Sequence, residues 1–368
     1  MPTLFEPIRA GALACPNRIW MAPLTRGRAT RDHVPTPLMA EYYAQRASAG
    51  LIITEATGIS VEGSGWPYAG GLWGAEHVAH WRTVTEAVHA AGGRIVAQLW
   101  HMGRLVHPSL HGVQPVSASA TTGPGKAHTY DGKQPYVQAR PLALEEIPRL
   151  IGDYVHAARN AIDAGFDGVQ LHAANGYLID QFLRDGSNHR SDAYGGSIEN
   201  RTRLTFEVVE AVTREIGAGR TAIRLSPVTP SNDSYDSNPQ AVFTHVVEGL
   251  AKYNLAYIHI VEGQTGGERD YKGGTNPSFD YAALRAAYEK AGGKASWMVN
   301  NGYDRDMAIA AAETGRADLV AFGKPFIANP DLVERLQKNL PLNAGDQATF
   351  YGGGAKGYTD YPLIDKVA

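Results

Sequence analysis

Short runs of β-branched and apolar residues alternate with stretches of helical character along the chain. The runs span residues 17–23, 51–56, 94–100, 168–173, 222–227, 257–263, 296–302 and 318–325. Helical stretches follow them near residues 37–49, 76–91, 144–164, 199–216, 239–253, 278–291, 304–314 and 330–338. This spacing suits parallel strands joined by helical crossovers, so the pattern predicts eight strand–helix units.

Eight such units predict an α/β fold of the closed (β/α)8 type, a TIM barrel, with residues 1–368 as one domain. The alternative is an open, doubly wound sheet with a second domain, but no linker or change of composition divides the chain. A segment rich in Gly, Pro and Ser, about 103–143, separates the third strand from its helix. Loops of that length usually act as lids or caps, so we expect a capping insertion there.

Polar or aromatic residues stand at the ends of most predicted strands. They are Thr25, Glu55, Gln98, Trp100, His172, Arg224, Glu262, Asn300 and Asn301. In a barrel the carboxyl ends of the strands form one mouth, and active sites lie there. One such residue alone is more often a satisfied polar group. Strand alternation would point Gln98, His172 and Arg224 into the mouth from three adjacent strands, and together they indicate a ligand site, because a buried arginine needs an acceptor that offsets its desolvation.

The turns after strands seven and eight are the predicted phosphate site. Gly302 and Gly323 would let backbone amides approach an anion closely, and Lys324 would add a positive charge. Two ordinary strand–helix turns are the alternative. The run GGGAKG at 352–357 also matches the dinucleotide-binding spacing G-x-G-x-x-G. No strand closely precedes it and no helix follows, so we expect a turn.

A phosphate anchor, polar strand ends and aromatic walls suit a planar phosphorylated cofactor. FMN fits, with Thr25 and Gln98 serving its O4 and N3/O2 edges and Arg224 lying near N1 and O2, where negative charge builds on reduction. Pyridoxal phosphate would need a strand-end lysine, and Lys324 is already required for the phosphate. The aromatic residues expected near the rim are Tyr68, Trp100, Tyr177 and Tyr351.

Composition narrows the classes of partner. The net charge is −3 without a basic stripe, which argues against nucleic acid. A single cysteine, Cys15, excludes an internal disulfide and a cysteine-based structural zinc site. We expect a cytoplasmic protein without a membrane segment, because the chain has no apolar run of about 18 residues and no signal-peptide core. A metal-dependent barrel hydrolase or lyase is disfavoured, since H-E-x-x-H is absent and the first strand has no His-x-His; we therefore predict no metal.

The stretch HAANGYLIDQF at 172–182 presents a histidine, an asparagine and a tyrosine directly after the fourth strand. Alone, these could form a metal site, a proton relay, an anion cradle or an ordinary loop. Together with NRIWMAPLTRGRA, AQLWHMGR, YGGSIENR and AFGKPFIANPDLVERL, the stretch resembles the Old Yellow Enzyme family of FMN-dependent ene-reductases. Thr25 and Tyr351 make the chain similar to the branch that contains bacterial N-ethylmaleimide, morphinone and nitrate-ester reductases.

The resemblance implies a barrel with an N-terminal hairpin over its bottom, FMN in the mouth, and NADPH or NADH as hydride donor. It implies that His172 and Asn175 bind the carbonyl oxygen of an α,β-unsaturated substrate. Flavin N5 would deliver a hydride to the β-carbon, and Tyr177 would protonate the α-carbon. Tyr68, Trp100 and Tyr351 would shape the pocket. The residues implied in FMN contact are Pro23, Leu24, Thr25, Ala56, Gln98, Arg224, Asn301, Gly302, Gly323 and Lys324.

Two positions depart from the family pattern: Lys324 replaces an arginine, and Asn300-Asn301 stands where many members carry a glycine. The same donors could hold a nitro oxygen, so a nitrate ester or nitroaromatic is the alternative substrate to an enone. The sequence leaves open the choice of NADH or NADPH, the natural substrate, and whether the protein is a monomer or a homodimer.

Overall fold

The computed structural model describes residues 3–269 and 279–364, and its strands include all eight predicted ones. In chain order the strands are β1 (Ile8–Ala10), β2 (Leu13–Cys15), β3 (Ile19–Met21), β4 (Ile52–Gly58), β5 (Ile95–Trp100), β6 (Val116–Ser117), β7 (Lys126–Thr129), β8 (Gly132–Pro135), β9 (Arg140–Pro141), β10 (Gly168–Ala173), β11 (Thr221–Leu225), β12 (Tyr257–Val261), β13 (Ser296–Asn300) and β14 (Leu319–Phe322). Strands β3, β4, β5 and β10 to β14 are parallel, and pairing of β14 with β3 closes the barrel. The predicted (β/α)8 fold is confirmed.

Helices surround the barrel. They are α1 (Pro37–Ala44), α2 (Ala75–Ala90), α3 (Pro108–His111), α4 (Ile147–Asp163), α5 (Leu178–Leu183), α6 (Ile198–Ile216), α7 (Pro239–Leu250), α8 (Tyr281–Lys290), α9 (Arg305–Glu313), α10 (Lys324–Ala328) and α11 (Leu332–Lys338). In α4 the buried residues recur at helical spacing, as at Leu150, Tyr154, Ala157 and Ala161. No helix of these residues is both long and apolar enough to cross a membrane.

Helix α1 is shorter than the predicted stretch of 37–49. The guanidinium of Arg46 donates to the carbonyl oxygen of Tyr42 at 2.8 Å. The next backbone N–H groups bond three residues back, from Arg46 to Tyr43 and from Ala47 to Ala44, so the chain tightens into turns. Other helix boundaries differ by a few residues, and residue 278 of the predicted helix near 278–291 lies outside the described residues.

The bottom of the barrel is closed by the predicted N-terminal hairpin, β1 paired with β2. Its buried Leu13 and Cys15 belong to one apolar cluster with Trp20 and Tyr257 inside the barrel. The rings of Trp20 and Tyr257 meet edge to face at 5.0 Å. A Cβ at Gly11 would come within 2.7 Å of the Gly219 carbonyl oxygen, so the hairpin turn needs a glycine. The lower half of the barrel is therefore a packed core.

Two segments cover the other end. The insertion after β5 contains the antiparallel pair β7–β8, and its His128 and Tyr130 rings contact Trp66 and Tyr68 at 4.5 and 5.2 Å. The segment after α11 folds back onto the loop that follows β3. Arg26 donates to the carbonyl oxygens of residues Phe350 and Gly357, each at 2.8 Å. Both segments thus reach the mouth, as predicted for the insertion.

Candidate active site

A cavity of about 600 Å³ opens at the carboxyl ends of the barrel strands. Every residue predicted to contact FMN or substrate lines it, with the exception of Tyr68; of the polar strand ends, Glu55 and Glu262 are not part of the lining. The predicted contact residues in the lining are Pro23, Leu24, Thr25, Ala56, Gln98, Trp100, His172, Asn175, Tyr177, Arg224, Asn301, Gly302, Gly323, Lys324 and Tyr351. The cavity therefore brings together predicted residues from seven strand ends and from the C-terminal segment.

Tyr68 does not line the cavity, so its predicted place in the pocket is wrong. It is 41% exposed, has a left-handed backbone (φ 61°) and packs against Tyr130 of the insertion, outside the cavity lining. Trp66, two residues earlier, lines the cavity instead, with its ring 5.4 Å from that of Tyr351. The segment GWPY is a loop without strand or helix periodicity, so the sequence could not specify which aromatic side chain faces inward.

The paired registers of three strands assemble the floor of the cavity. Gln98 of β5 lies opposite Gln170 of β10, and His172 of β10 lies opposite Arg224 of β11. Gln98 Nε2 donates to Gln170 Oε1 at 2.7 Å. Gln170 Nε2 is in turn 3.1 Å from His259 Nδ1. One of the two Gln98 Nε2 protons is used in this bond, so the carbonyl oxygen of Gln98 and the second N–H remain for a ligand.

Arg224 carries the positive charge of this floor. Its Nη2 donates to Asn300 Oδ1 at 3.1 Å, while its Nε is buried without a partner. Burial lowers the pKa of Arg224 to about 10, and the guanidinium is still protonated at neutral pH. No carboxylate is an ion-pair partner of Arg224 among the described residues. The charge is therefore available to an electron-rich ligand.

The turn after β10 brings His172, Asn175 and Tyr177 together. Asn175 and Gly176 both have left-handed backbones, at φ 60° and 76°, and Tyr177 caps the start of α5. The Gly176 N–H donates to Asp180 Oδ2 at 2.8 Å, which fixes the turn. The His172 and Tyr177 rings lie 4.8 Å apart, and the Trp100 ring lies 4.9 Å from Tyr177. The three predicted polar side chains thus share one wall.

Burial determines the protonation of this wall. Desolvation, followed by the nearby charge of Arg224, holds the pKa of His172 well below its usual value, so the imidazole is neutral at pH 7. Its Nδ1 is buried without a partner. Burial also raises the pKa of Tyr177, opposed by a hydrogen bond with Asn232. Both residues therefore hold a proton that they can donate, as N–H and as O–H.

The predicted phosphate end lies across the cavity from this wall. Gly302 has a left-handed backbone, φ 67°, and Gly323 precedes helix α10, whose first residue is Lys324. Lys324 is exposed, and its Nζ donates to the Gly266 carbonyl oxygen at 3.1 Å. Asn301, at φ 99°, donates to the carbonyl oxygens of residues 262 and 264. Asn301 thereby supplies both the positive φ and the anchors that a glycine could not.

The sequence prediction missed the loop after β12. Thr265, Gly266 and Gly267 line the cavity, as do Trp66 and Phe350. A usable signal existed, because the glycine-rich run EGQTGG directly follows a barrel strand, and loops at that end form the mouth. The described residues contain no group of three or more His, Cys, Asp or Glu side chains that could hold a metal ion.

The polar groups of the cavity fit a flavin. Thr25, Gln98 and Arg224 line the cavity together, and the charge of Arg224 has no carboxylate partner among the described residues. An isoalloxazine presents both acceptors and an N–H along one edge, so it offers partners to such a set, which an apolar ligand would leave unpaired. The glycine-bordered end beside Lys324 suits a phosphate.

Comparisons with known proteins show the family to which the chain belongs. The family model described as NADH:flavin oxidoreductase / NADH oxidase matches residues 3–343. The solved structure of the old yellow enzyme homologue from Zymomonas mobilis is 54% identical, with a TM-score of 0.94 and coverage of 99% of this chain and 100% of that one. Morphinone reductase in complex with tetrahydroNAD is 44% identical, with a TM-score of 0.91 and coverage of 99% and 98%.

A curated relative is the probable flavin mononucleotide-dependent alkene reductase of Leishmania infantum. It is 44% identical over 368 residues, which cover 98% of this chain and 97% of the relative. The family match spans most of the chain, and the relatives match it over nearly their whole lengths. The chain belongs to the NADH:flavin oxidoreductase / NADH oxidase family and is a flavin-dependent oxidoreductase of the Old Yellow Enzyme type.

Proposed function

We propose that this protein is an FMN-dependent ene-reductase, which uses NADPH or NADH to reduce the C=C bond of α,β-unsaturated carbonyl compounds. The observation that carries the proposal is the common wall of His172, Asn175 and Tyr177 beside a cavity that fits a flavin. One wall then offers two donors for a carbonyl oxygen and one hydroxyl for a proton.

The residues that would hold FMN divide by chemistry. Gln98 and Thr25 would meet the polar edge of the ring, and Arg224 would lie near the position where negative charge develops on reduction. The backbone at Gly302 and Gly323, with Lys324, would hold the phosphate. Apolar contacts would come from Pro23, Leu24 and Ala56, and Asn301 would shape the phosphate end. When bound, the flavin supplies the hydride that the alkene accepts.

His172 and Asn175 act on the substrate oxygen. Each can donate one hydrogen bond, His172 as a neutral imidazole and Asn175 through its amide nitrogen. These bonds polarise the carbonyl group and so make the β-carbon electron-poor. They strengthen as negative charge grows on the oxygen, and loss of one such donor typically costs ~10²–10³ in rate.

Tyr177 would donate its hydroxyl proton to the α-carbon. Burial raises the pKa of the hydroxyl, so it is fully protonated at neutral pH. A weak acid suffices, because an enolate carbon is strongly basic. Trp100, Trp66 and Tyr351 would confine the substrate above the flavin and limit the access of water.

Anaerobic stopped-flow spectroscopy tests the proposal. The purified protein should be yellow, and NADPH or NADH should bleach the flavin absorbance. A panel of 2-cyclohexenone, N-ethylmaleimide and nitro compounds should then restore it at rates above those of buffer alone. Bleaching without reoxidation by any enone would contradict ene-reduction. Reoxidation by the nitro compounds alone would favour the nitro substrates that the same donors can hold.

A further inference from the structure

Asn175 is held at three of its four polar groups. Its backbone N–H donates to Ser226 Oγ at 2.8 Å, and its carbonyl oxygen accepts from Asn232 Nδ2 at 2.8 Å. Its side-chain oxygen accepts from the hydroxyl of Thr265 at 2.7 Å. The remaining group, the side-chain NH₂, is not bonded to any described residue, and Asn175 lines the cavity. Only this NH₂ is left for a ligand.

The bond with Thr265 decides which end of the amide faces the cavity. A carboxamide has an accepting oxygen and a donating NH₂, and rotation by 180° exchanges them. The Thr265 hydroxyl has Asn175 Oδ1 as its one partner among the described residues, so its proton lies on that oxygen. In the rotated amide, the NH₂ group would donate to the Thr265 hydroxyl oxygen instead, and the hydroxyl proton would have no acceptor among the described residues. The observed orientation is therefore favoured.

Thr265 is itself fixed from both sides. Its backbone N–H donates to Thr229 Oγ1 at 3.1 Å. The next residue, Gly266, donates from its N–H to Asn301 Oδ1 at 3.2 Å and accepts from Lys324 Nζ at 3.1 Å. The loop after β12 thus connects the predicted phosphate end of the cavity to the substrate wall. The hydroxyl is held in place before any ligand arrives, so its ordering adds little to the cost of binding.

We propose that Thr265 is a positioning residue that fixes the amide of Asn175 as a hydrogen-bond donor. The wall then selects ligands that present an acceptor, such as a carbonyl, nitro or phenolate oxygen. Thr265 acts through Asn175 and need not touch the reacting atoms. The expected effect on turnover rests on the proposed function. The expected effect on ligand binding does not, because binding depends directly on the orientation of the Asn175 amide.

The variants Thr265→Val, Thr265→Ala and Thr265→Ser test this. Valine has nearly the shape of threonine but cannot donate, alanine removes the whole group, and serine keeps the hydroxyl. The measurement is the dissociation constant of para-chlorophenol for the flavin-loaded protein, followed by flavin absorbance. We expect about tenfold weaker binding in the valine and alanine variants, equal to the loss of one hydrogen bond of ~1.4 kcal/mol. Serine should remain within about threefold of wild type.

Two results would overturn the proposal: unchanged phenol binding in the valine and alanine variants, or a serine variant as weak as the valine one, which would indicate packing alone. The KM for 2-cyclohexenone should rise and the reoxidation rate fall in the valine variant, with the serine variant restoring both. If the wild type binds the phenol but no enone reoxidises it, the proposed function fails while the role of Thr265 is still measured.

Discussion

The imidazole of His172 and the phenol ring of Tyr177 meet edge to face, with their centroids 4.8 Å apart and their planes at 80°. Trp100 completes the cluster, stacked near His172 at 6.4 Å and edge-on to Tyr177 at 4.9 Å. Packing among three rings therefore holds the Tyr177 ring in addition to the hydrogen bond between its hydroxyl and Asn232. The position of the ring and the acidity of the hydroxyl can thus be separated by mutation.

Tyr177→Phe should keep the cluster and remove the proton. We expect the variant to bind FMN and to be reduced by NAD(P)H within a few-fold of the wild-type rate. Reoxidation by enones should fall by ~10²–10⁴, the usual contribution of a general acid. Anaerobic single-turnover kinetics of both half-reactions measure this. If both fall equally, Tyr177 is not the proton donor; Tyr194→Phe, which lies outside the cavity, is the matched control.

Arg224→Met should make the bound flavin harder to reduce. The guanidinium is protonated at neutral pH, lines the cavity and has no carboxylate partner among the described residues, so it can stabilise negative charge on the reduced ring. Loss of ~1.5–3 kcal/mol of charged hydrogen bonding corresponds to a fall on the order of 30–60 mV for a two-electron couple. A redox titration with reference dyes measures the potential. Arg220→Met, exposed at the opposite end of the barrel, should leave it unchanged.

An unchanged potential in Arg224→Met would place the reducible ring elsewhere in the cavity. The variant must retain bound flavin for that comparison. The Asn300 oxygen loses its donor in this variant, while the Asn300 NH₂ keeps its bond to the Ala321 carbonyl oxygen at 2.7 Å.

Lys324→Met should weaken the binding of FMN more than that of riboflavin. The ammonium lies beside the glycine-bordered turn and is exposed, so its attraction for a phosphate is screened by salt. We expect about a tenfold rise in the FMN dissociation constant at low ionic strength, and less at 0.5 M salt. Fluorescence quenching of the two flavins by apoprotein measures the difference. Equal losses for both flavins would mean that Lys324 does not contact the phosphate.

Glu55→Gln should stabilise the protein at alkaline pH. Burial raises the pKa of this carboxyl to about 7, although the N–H groups of Arg26 and Gly27 bond to it. The folded pKa exceeds the unfolded value of 4.5, so the folded state binds more protons and stability falls as pH rises from about 4.5 to 7.

In the Glu55→Gln variant, stability should not fall with pH for this reason, because glutamine does not titrate. The variant should match wild type near pH 5 and exceed it near pH 8, by on the order of 3 kcal/mol at most. Denaturant unfolding at both pH values measures the difference, with exposed Glu313→Gln as control. A constant difference between variant and wild type at both pH values would show that Glu55 does not titrate in this range.

The sequence predicted the strand-borne part of the site well, for a physical reason. Side chains alternate along a strand, so Gln98, His172 and Arg224 could be assigned to the barrel interior once the strand ends were located. Pairing between neighbouring strands then sets the relative heights of these side chains, as the registers of β5, β10 and β11 show.

The loop-borne part could not be predicted in the same way. Thr265 binds Asn175, which lies 90 positions away in the sequence. Trp66 lines the cavity in place of Tyr68, because the Tyr68 ring packs against Tyr130 of the insertion. Such contacts depend on how separate loops pack against each other. No periodicity within one loop encodes them.

One segment that borders the mouth, the segment after α11, is the last part of the chain to be synthesised. Arg26 is synthesised more than 300 residues before Phe350 and Gly357, whose carbonyl oxygens it binds. The ring of Tyr42 likewise precedes by more than 300 residues the ring of Tyr358, on which it stacks at 4.0 Å. All eight barrel strands are synthesised before that segment emerges, at about 5–20 residues per second. A nascent chain from which β14 has just emerged contains all eight barrel strands but lacks the segment that binds Arg26. During synthesis, the flavin cavity should therefore be complete only after the C-terminal segment with Phe350 and Tyr351 has emerged.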